Sequence, residues 1–349
     1  MAEPTTPPAT DLPGLIRRVS DGEHLTVEQA RSAFHLFMRG EASPVLMGAL
    51  LTALRTKSVA PSEVAGGVLA LQDALVPVIS TDPDRLVDTA GTGGGTLTTF
   101  NISTAAALVA AGAGVRLAKH GNRSFTSRSG SADVLEALGV RIELTPERMG
   151  EILEEVGIVF MFAPLLHPAM RHVGPVRREL GMPTIMNLLG PLTNPAGARR
   201  QVVGVSEAEL VPLVVDALRE LGHVRALVVH GEPGMDEVSP LGRTRVAELK
   251  DGEIRHHSIH PEELGLDLHG PDGLEGGEPT DNAHRIREVL AGRDRGAARA
   301  AVVLNAAAAI YVAGEAGSLQ SAVGRAQESV DSGAAEGTLE ALRASSNRR

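Results

Sequence analysis

The sequence predicts an α/β protein, with a small helical domain at the N-terminus and a large α/β domain whose mostly parallel sheet is flanked by helices. Three observations predict it. Capped, amphipathic segments fill the first part of the chain, and no strand-like run appears before about residue 85. Beyond that point short apolar runs alternate with Ala- and Leu-rich stretches, the pattern of β–α units. The 349 residues, 43% hydrophobic and 22% charged, suffice for one large domain or two unequal ones.

Residues 1–12, rich in Pro and Thr, are expected to form a disordered tail. The helical domain is assigned to residues 13–82. In "LTVEQARSAFHLFMRG" Thr26 is placed to cap a helix with Gln29 three residues on. Ala33, Phe34, Phe37 and Met38 form its apolar stripe, and Gly40 stops it. In "SPVLMGALLTALRTKS" Ser43 caps and Pro44 takes the first helical position. "SEVAGGVLALQDAL" supplies another helix.

The α/β domain is assigned to residues 83–349. Its strand-like runs are "RLVDTAG", "GVRLAKHG", "VRIEL", "GIVFMFA", "RRQVVGV" and "VRALVVHG". Helical stretches such as "STAAALVAAGAG", "SADVLEALG" and "ELVPLVVDALRELG" lie between them. "HPAMRHVGPVRRELG" interrupts this alternation, and a helical return to the N-terminal domain is expected over about 168–190. The Gly- and Asp-rich stretch from Leu264 to Asn282 reads as a surface excursion.

Composition narrows the function. A net charge of −10 argues against a general affinity for nucleic acid. Six Phe, one Tyr and no Trp leave few platforms for stacking bases. No apolar run is long enough to span a membrane. Cys is absent, which removes disulfides, thiolate catalysis and sulfur-ligated metals. The first residues lack the basic and apolar regions of a secretory signal, so a cytoplasmic location is expected.

Three loops carry candidate chemistry. In "DTAGTGGGTLTTFNIST" Gly91, Gly93, Gly94 and Gly95 follow a strand and precede a helix. Bare backbone there suits either a flexible loop or an anion held by amide N–H groups. Asn101, Ser103 and Thr104 fall at the helix N-terminus, where free N–H groups favour negative charge. Thr96 stands where a dinucleotide fingerprint needs Gly, and no Gly-Lys-Ser/Thr ending exists for a Walker A loop. The second loop, "KHGNRSFTSRSGSADVLEALG", gathers Lys119, His120, Asn122, Arg123, Ser124, Thr126, Ser127, Arg128, Ser129 and Ser131. That density of cations and hydroxyls suits a polyphosphate. The third, "VVHGEPGMDEVSPLG", offers Asp236 and Glu237 for Mg²⁺, directly or through water. As acids of an exposed loop they are expected to contribute little to folding. No nucleophile motif is present, so a transfer run by positioning and electrostatics is expected.

At these residues the chain resembles the anthranilate phosphoribosyltransferases of tryptophan biosynthesis. The resemblance runs over nearly the whole length after about residue 12. It rests on "GTGG" with "FNIST", "KHGNRS" with "SGSADVLEALG", "FAPLLHPAMRHVGPVRRELGMPTIMNLLGPLTNP", "MDEVSPLG" and "VLNAAAA". It implies a fold like the nucleoside phosphorylases and phosphoribosyltransferases, a homodimer, and transfer of a 5-phosphoribosyl group from phosphoribosyl pyrophosphate to anthranilate. It implies phosphoribosyl pyrophosphate contacts at Gly91, Gly94, Gly95, Thr99, Asn101, Ile102, Ser103, Thr104, Lys119, His120, Gly121, Asn122, Arg123, Ser124, Phe125, Thr126, Ser127 and Ser131. Mg²⁺ would use Ser103, Asp236 and Glu237. Anthranilate would meet Gly91, Asn122 and Arg177, with His120 and His167 lining its route. The family commonly reads Gly-Thr-Gly-Gly-Asp where this chain has Gly95. Rival readings are a pyrimidine nucleoside phosphorylase, whose loop carries Lys-x-Ser rather than "KHGNRS", and a non-catalytic nucleic-acid-binding relative, which needs a basic face.

Overall fold

The computed structural model describes residues 11–124 and 128–348. The chain divides into two compact units, Met1–Leu75 with His167–Gly190, and Val76–Leu166 with Pro191–Arg349. Helices α1 (Leu12–Ser20), α2 (Val27–Met38), α3 (Pro44–Lys57) and α4 (Pro61–Ala74) open the chain. Then come β1 (Val87–Gly91), α5 (Ile102–Gly112), β2 (Leu117–Gly121), α6 (Ser131–Ala137), α7 (Pro146–Val156), β3 (Ile158–Phe162) and the short α8 (Ala163–Leu166). Helices α9 (Met170–Leu180) and α10 (Met186–Leu189) rejoin the helical unit. The remainder is β4 (Arg200–Gly204), α11 (Leu210–Glu220), β5 (Arg225–Gly231), β6 (Thr244–Lys250), β7 (Glu253–Ile259), α12 (Pro279–Leu290), α13 (Ala297–Ala313), α14 (Leu319–Asp331) and α15 (Ala334–Asn347).

In the helical unit the local signals act as read. Thr26 Oγ1 accepts the Gln29 N–H at 3.2 Å and Gln29 Oε1 accepts the Thr26 N–H at 3.0 Å, closing a capping box. Ser43 Oγ accepts the Leu46 N–H at 3.3 Å. Ala30, Ala33, Phe34 and Phe37 of α2 are buried, as are Leu50, Leu51 and Leu54 of α3 and Val64 and Val68 of α4. At Gly66 a Cβ would lie 2.4 Å from the Val27 carbonyl, so glycine permits α4 to lie close against α2. Helix α9 packs on α2 and α3, and α10 on α4. One expectation fails at the start of the chain. Asp11 Oδ1 caps Gly14 at 3.0 Å and α1 begins at Leu12, so residues 11 and 12 are helix and cap rather than tail.

In the α/β unit the seven-stranded sheet runs β3-β2-β1-β4-β5-β6-β7. The first five strands of that order are parallel and the last two pairings antiparallel. Strand β3 is buried along its whole length, as suits a parallel strand covered on both faces. The Ala-rich α5 and α13 pack on each other and are almost wholly buried, the aliphatic core that low aromatic content requires.

Two sequence expectations need correction here, and two strands were not foreseen. "VRIEL" joins no strand ladder: Val140 and Ile142 are buried while the Arg141 N–H donates to Ser346 Oγ at 3.1 Å. The stretch from Leu264 to Asn282 is no mere surface excursion. Leu274 is buried, its carbonyl accepts the Phe100 N–H at 2.9 Å, and Thr99 bridges Glu275. The stretch thus covers the end of the glycine loop, and its last residues belong to α12. Strands β6 and β7 were not expected, because Arg255, His256 and His257 hide the alternation. The Asp251–Gly252 turn that joins them, with φ of 53° and 84°, was the available signal.

Candidate active site

The glycine loop leaves the C-terminal end of β1 with Gly93 and Gly94 at φ of 68° and 83°, a conformation open to glycine. Much of its need for bare backbone comes from the protein itself. The Gly93 N–H donates to Asp236 Oδ2 at 2.9 Å. A Cβ on Gly91 would stand 2.5 Å from that same oxygen, and one on Gly204 only 1.7 Å from the Asp236 carbonyl. The absence of side chains at the ends of β1 and β4 is therefore what admits the acidic loop.

Asp236 and Glu237 are not the exposed acids expected. Burial raises the Asp236 carboxyl above its ordinary range, against the pull of the Gly93 N–H, its own N–H and His230. Glu237 is pushed up to about 8 by burial and by the Asp236 charge, opposed by Lys119 and the Ser103 N–H. Glu237 also corrects the picture of a helix N-terminus with free donors. At α5 the Ser103 N–H bonds the Glu237 carboxylate, the Ile102 N–H donates to Phe100 O at 2.6 Å, and the Thr104 N–H to Asn101 O at 3.1 Å. The negative charge that the helix end favours is already supplied by the chain. Ile102 and Thr104 are themselves buried.

Lys119 is buried beside this pair. Its Nζ donates to Thr89 O at 2.6 Å and lies 3.3 Å from both Thr89 Oγ1 and Ser103 Oγ. Burial lowers its pKa, while Asp88 and Glu237 hold the charge in place. Further along the second loop, Arg123 is committed to α6, pairing with Asp133 at 2.9 Å and with Glu136. Asp133 also accepts the Gly130 N–H at 2.8 Å, fixing the loop's return. Asn122 O accepts Ser131 Oγ at 3.3 Å, and Asn122 Oδ1 accepts the Arg123 N–H at 2.7 Å. Asn101 forms no side-chain cap; its amide donates to Ser129 O and accepts from Asn282, tying the first loop to the second and to α12. Gly91, Gly94, Gly95, Thr99, Asn101, Ser103, Lys119, His120, Gly121, Asn122, Arg123, Ser124 and Ser131 are thus all in the α/β unit, on loops and the adjoining ends of β1, α5, β2 and α6. Phe125, Thr126 and Ser127 lie outside the described residues.

Arg177 and His167 belong to the helical unit. Arg177 is half-buried on α9, and burial lowers its pKa. The only hydrogen bond of its guanidinium among the described residues is a long one of 3.5 Å to Asn187 Oδ1, and it has no carboxylate partner there. That leaves a cation with bidentate capacity to spare. His167 is buried, and desolvation drops its pKa to about 4, so its ring is neutral at pH 7.

Sequence reasoning missed three residues. Asp88 and Asn194 meet beneath the second loop, with Asn194 Nδ2 donating to Asp88 Oδ2 at 2.8 Å. Asn305, the polar residue of "VLNAAAA", accepts the Val238 N–H and donates to the Val238 carbonyl, both at 2.9 Å. It clamps the residue that follows Glu237. A lone amide inside an Ala-rich helix was the signal, since a buried amide requires partners.

Among the described residues no group of three or more His, Asp or Glu is arranged around a metal. The donor set of two carboxylates and a hydroxyl nevertheless fits Mg²⁺, which takes hard oxygen ligands and few protein carboxylates when phosphates complete its shell. Burial first, and then repulsion from Asp236, raise Glu237, and such a cation relieves both by favouring the charged carboxylate.

Residues 83–336 match the a/b domain of the glycosyl transferase family, and residues 13–75 its helical bundle domain. The anthranilate phosphoribosyltransferase of Rubrobacter xylanophilus is 53% identical over 325 residues, covering 93% of this chain and 94% of its own. The chain belongs to the anthranilate phosphoribosyltransferase family. The solved anthranilate phosphoribosyltransferase of Thermus thermophilus superposes with a TM-score of 0.90 at 46% identity, covering 95% of this chain and 99% of that one. The Saccharomyces cerevisiae enzyme, solved in complex with phosphoribosyl pyrophosphate and Mg, gives a TM-score of 0.86 at 27% identity over 96% of this chain and 97% of its own.

Proposed function

We propose that this chain transfers the 5-phosphoribosyl group of phosphoribosyl pyrophosphate to the amino group of anthranilate, in the second step of tryptophan biosynthesis from chorismate. The observation that carries the reading is the half-buried Asp236–Glu237 pair, held by the Gly93 N–H through Asp236 and by the Ser103 N–H through Glu237, beside two polar loops at the strand ends. The anomeric C–O bond to pyrophosphate breaks, the C–N bond forms, and the amine proton leaves to solvent. Ser103, Asp236 and Glu237 would hold Mg²⁺, which when bound supplies positive charge for the departing pyrophosphate. Lys119 adds charge from below, and the loops at 91–95 and 119–131 orient the phosphates and ribose. Arg177, without a carboxylate of its own, is assigned to the carboxylate of anthranilate, with Gly91, Asn122, His120 and His167 around the acceptor. The aromatic amine needs little deprotonation, so orientation rather than a general base carries the step. A homodimer and a cytoplasmic location belong to the same reading.

Pyrophosphate release tests it. Release that requires anthranilate and matches anthranilate consumption one for one supports the transfer. Phosphorolysis of a pyrimidine nucleoside without such release points to the nucleoside phosphorylase alternative.

A further inference from the structure

The first two loops are joined by side-chain amides that the transfer does not use directly. Asn101, at the entrance to α5, turns its amide into the protein. Nδ2 donates to Ser129 O at 3.0 Å, while Oδ1 accepts Ser129 Oγ at 3.2 Å and Asn282 Nδ2 at 3.0 Å. Asn282 stands 181 residues away in the first turn of α12, and it is buried. Its Oδ1 accepts the Gly277 N–H at 2.8 Å. A backbone N–H only donates and a carbonyl only accepts, so Gly277 at one end and Ser129 at the other fix which way both amides point. The result is a one-way chain of hydrogen bonds from Gly277 through Asn282 and Asn101 to Ser129.

Backbone contacts run alongside this chain. The Phe100 N–H donates to Leu274 O at 2.9 Å, the Gly276 N–H to Thr98 O at 3.1 Å, and Thr99 and Glu275 form an antiparallel bridge. A Cβ on Gly276 would stand 2.5 Å from the Thr99 carbonyl, so glycine permits the approach. One turn beyond Asn282, Arg285 lies over the Phe100 ring, 5.8 Å from its centre. The 274–285 stretch thus holds the end of the first loop by backbone and by side chain, and through Asn282 the hold reaches the second loop. Buried amides with their partners in place favour one arrangement of the segments they join.

We propose that Asn282 is a positioning residue for phosphoribosyl pyrophosphate: through Asn101 it locks the 98–104 and 129–131 segments into one arrangement before the substrate arrives. The proposal rests on the phosphoribosyl transfer reading and adds a residue that acts through Asn101 rather than by touching substrate. Loops released from one another must be ordered by the ligand itself, and the apparent affinity falls with the fraction of protein already in the competent arrangement.

The test is a double-mutant cycle on the full chain: wild type, Asn282→Leu, Asn101→Ala and the double variant. Asn282→Leu keeps the bulk of the side chain while removing its hydrogen bonds. It is expected to raise the KM for phosphoribosyl pyrophosphate roughly 5- to 50-fold, as leaving a buried acceptor short of a donor does. The kcat should stay within about threefold, and the KM for anthranilate at saturating phosphoribosyl pyrophosphate within about twofold. In the Asn101→Ala background Asn282→Leu should change little further, because residues acting through one another are not additive. Equal effects in both backgrounds, or a joint rise of both KM values, overturn the proposal and leave Asn282 a packing residue. If Asn282→Leu does not fold, hydrogen exchange of the wild type decides. Phosphoribosyl pyrophosphate with Mg²⁺ should slow exchange at the Gly277 N–H and in the first turn of α12 together with the 98–104 amides. Slowing of the 98–104 amides alone overturns the proposal. A wild-type protein that transfers nothing to anthranilate sinks the functional reading. A wild type that turns over and is matched by Asn282→Leu sinks only the role of Asn282.

Discussion

At the residue scale, Arg177 shows how a side chain's role is set by what it lacks. A half-buried guanidinium whose pKa burial depresses is costly to keep, yet no carboxylate answers it among the described residues. If it pairs with the anthranilate carboxylate, Arg177→Ala should raise the KM for anthranilate about 10- to 150-fold and leave that for phosphoribosyl pyrophosphate nearly unchanged. Steady-state kinetics with each substrate varied in turn checks this, and a matched change in both removes Arg177 from the acceptor site. Gly95 is constrained in another way. A Cβ there would stand 2.7 Å from the Gly234 carbonyl and 3.5 Å from Asp236 Oδ1. An Asp at this position would displace backbone and bring a second negative charge to an acid that is already raised. Gly95→Asp should lower stability by about 1–3 kcal/mol and Gly95→Ala by less, the difference being the charge. Thermal unfolding of the two variants measures it; two unchanged Tm values would show that the 232–235 turn gives way freely. The glycine cluster was legible in the sequence as a demand for bare backbone. That Asp236 makes much of this demand was not, because 143 residues separate Gly93 from its partner.

At the element scale, legibility followed the locality of the signal. Helices with their own caps, such as α2 and α3, declare themselves within a few residues. Strands β6 and β7 pair across a two-residue turn, but their charged faces mask the alternation that would reveal them. The start of α5 was misjudged because one of its donors, the Ser103 N–H, is taken by Glu237, a residue far along the chain, and two others by Phe100 and Asn101. The turn from α11 into β5 carries a pH dependence of its own. His223 sits there buried, with Nδ1 unpartnered, and desolvation, aided by the Arg199 charge and opposed by the Leu218 carbonyl, lowers its pKa to about 4. The folded state holds the ring neutral, whereas the unfolded chain takes up a proton as pH falls below 6.5. Stability should therefore be fully present above pH 6.5 and decline towards pH 4, by up to about 3 kcal/mol from this residue. His223→Leu should flatten that decline, as read from denaturant unfolding at a series of pH values. An unchanged slope would mean that the ring protonates within the fold at no cost. His167, also lowered to about 4, acts in the same direction in the helical unit.

At the scale of the whole molecule, the division into a helical unit and an α/β unit was readable from the change of hydrophobic period. The helical unit gives up the chain at Leu75 rather than at 82, since Val76 and Val78 already bond to Leu166 and Pro195 within the α/β unit. The α9–α10 return was readable because its helical pattern breaks the alternation of strands and helices. The candidate site was readable as three loops, but not as the buried Asp88, Lys119, Asn194 and Asn305 and the half-buried Glu237 that support them, since tertiary packing alone brings those residues together. The central claim is that this network supports Asp236 and Glu237 as the two carboxylates for Mg²⁺ in phosphoribosyl transfer to anthranilate. Asp236→Asn combined with Glu237→Gln removes both charges while keeping shape, and relieving two acids with raised pKa values should leave the Tm unchanged or higher. The decisive measurement is the loss of anthranilate fluorescence with phosphoribosyl pyrophosphate across a Mg²⁺ titration, for wild type and double variant. The account predicts a Mg²⁺-dependent loss in the wild type, abolished by chelation, and a folded variant whose rate at low Mg²⁺ falls at least about 100-fold, the size expected for losing charge stabilisation in a transition state. A variant that turns over like the wild type at every Mg²⁺ concentration would contradict it.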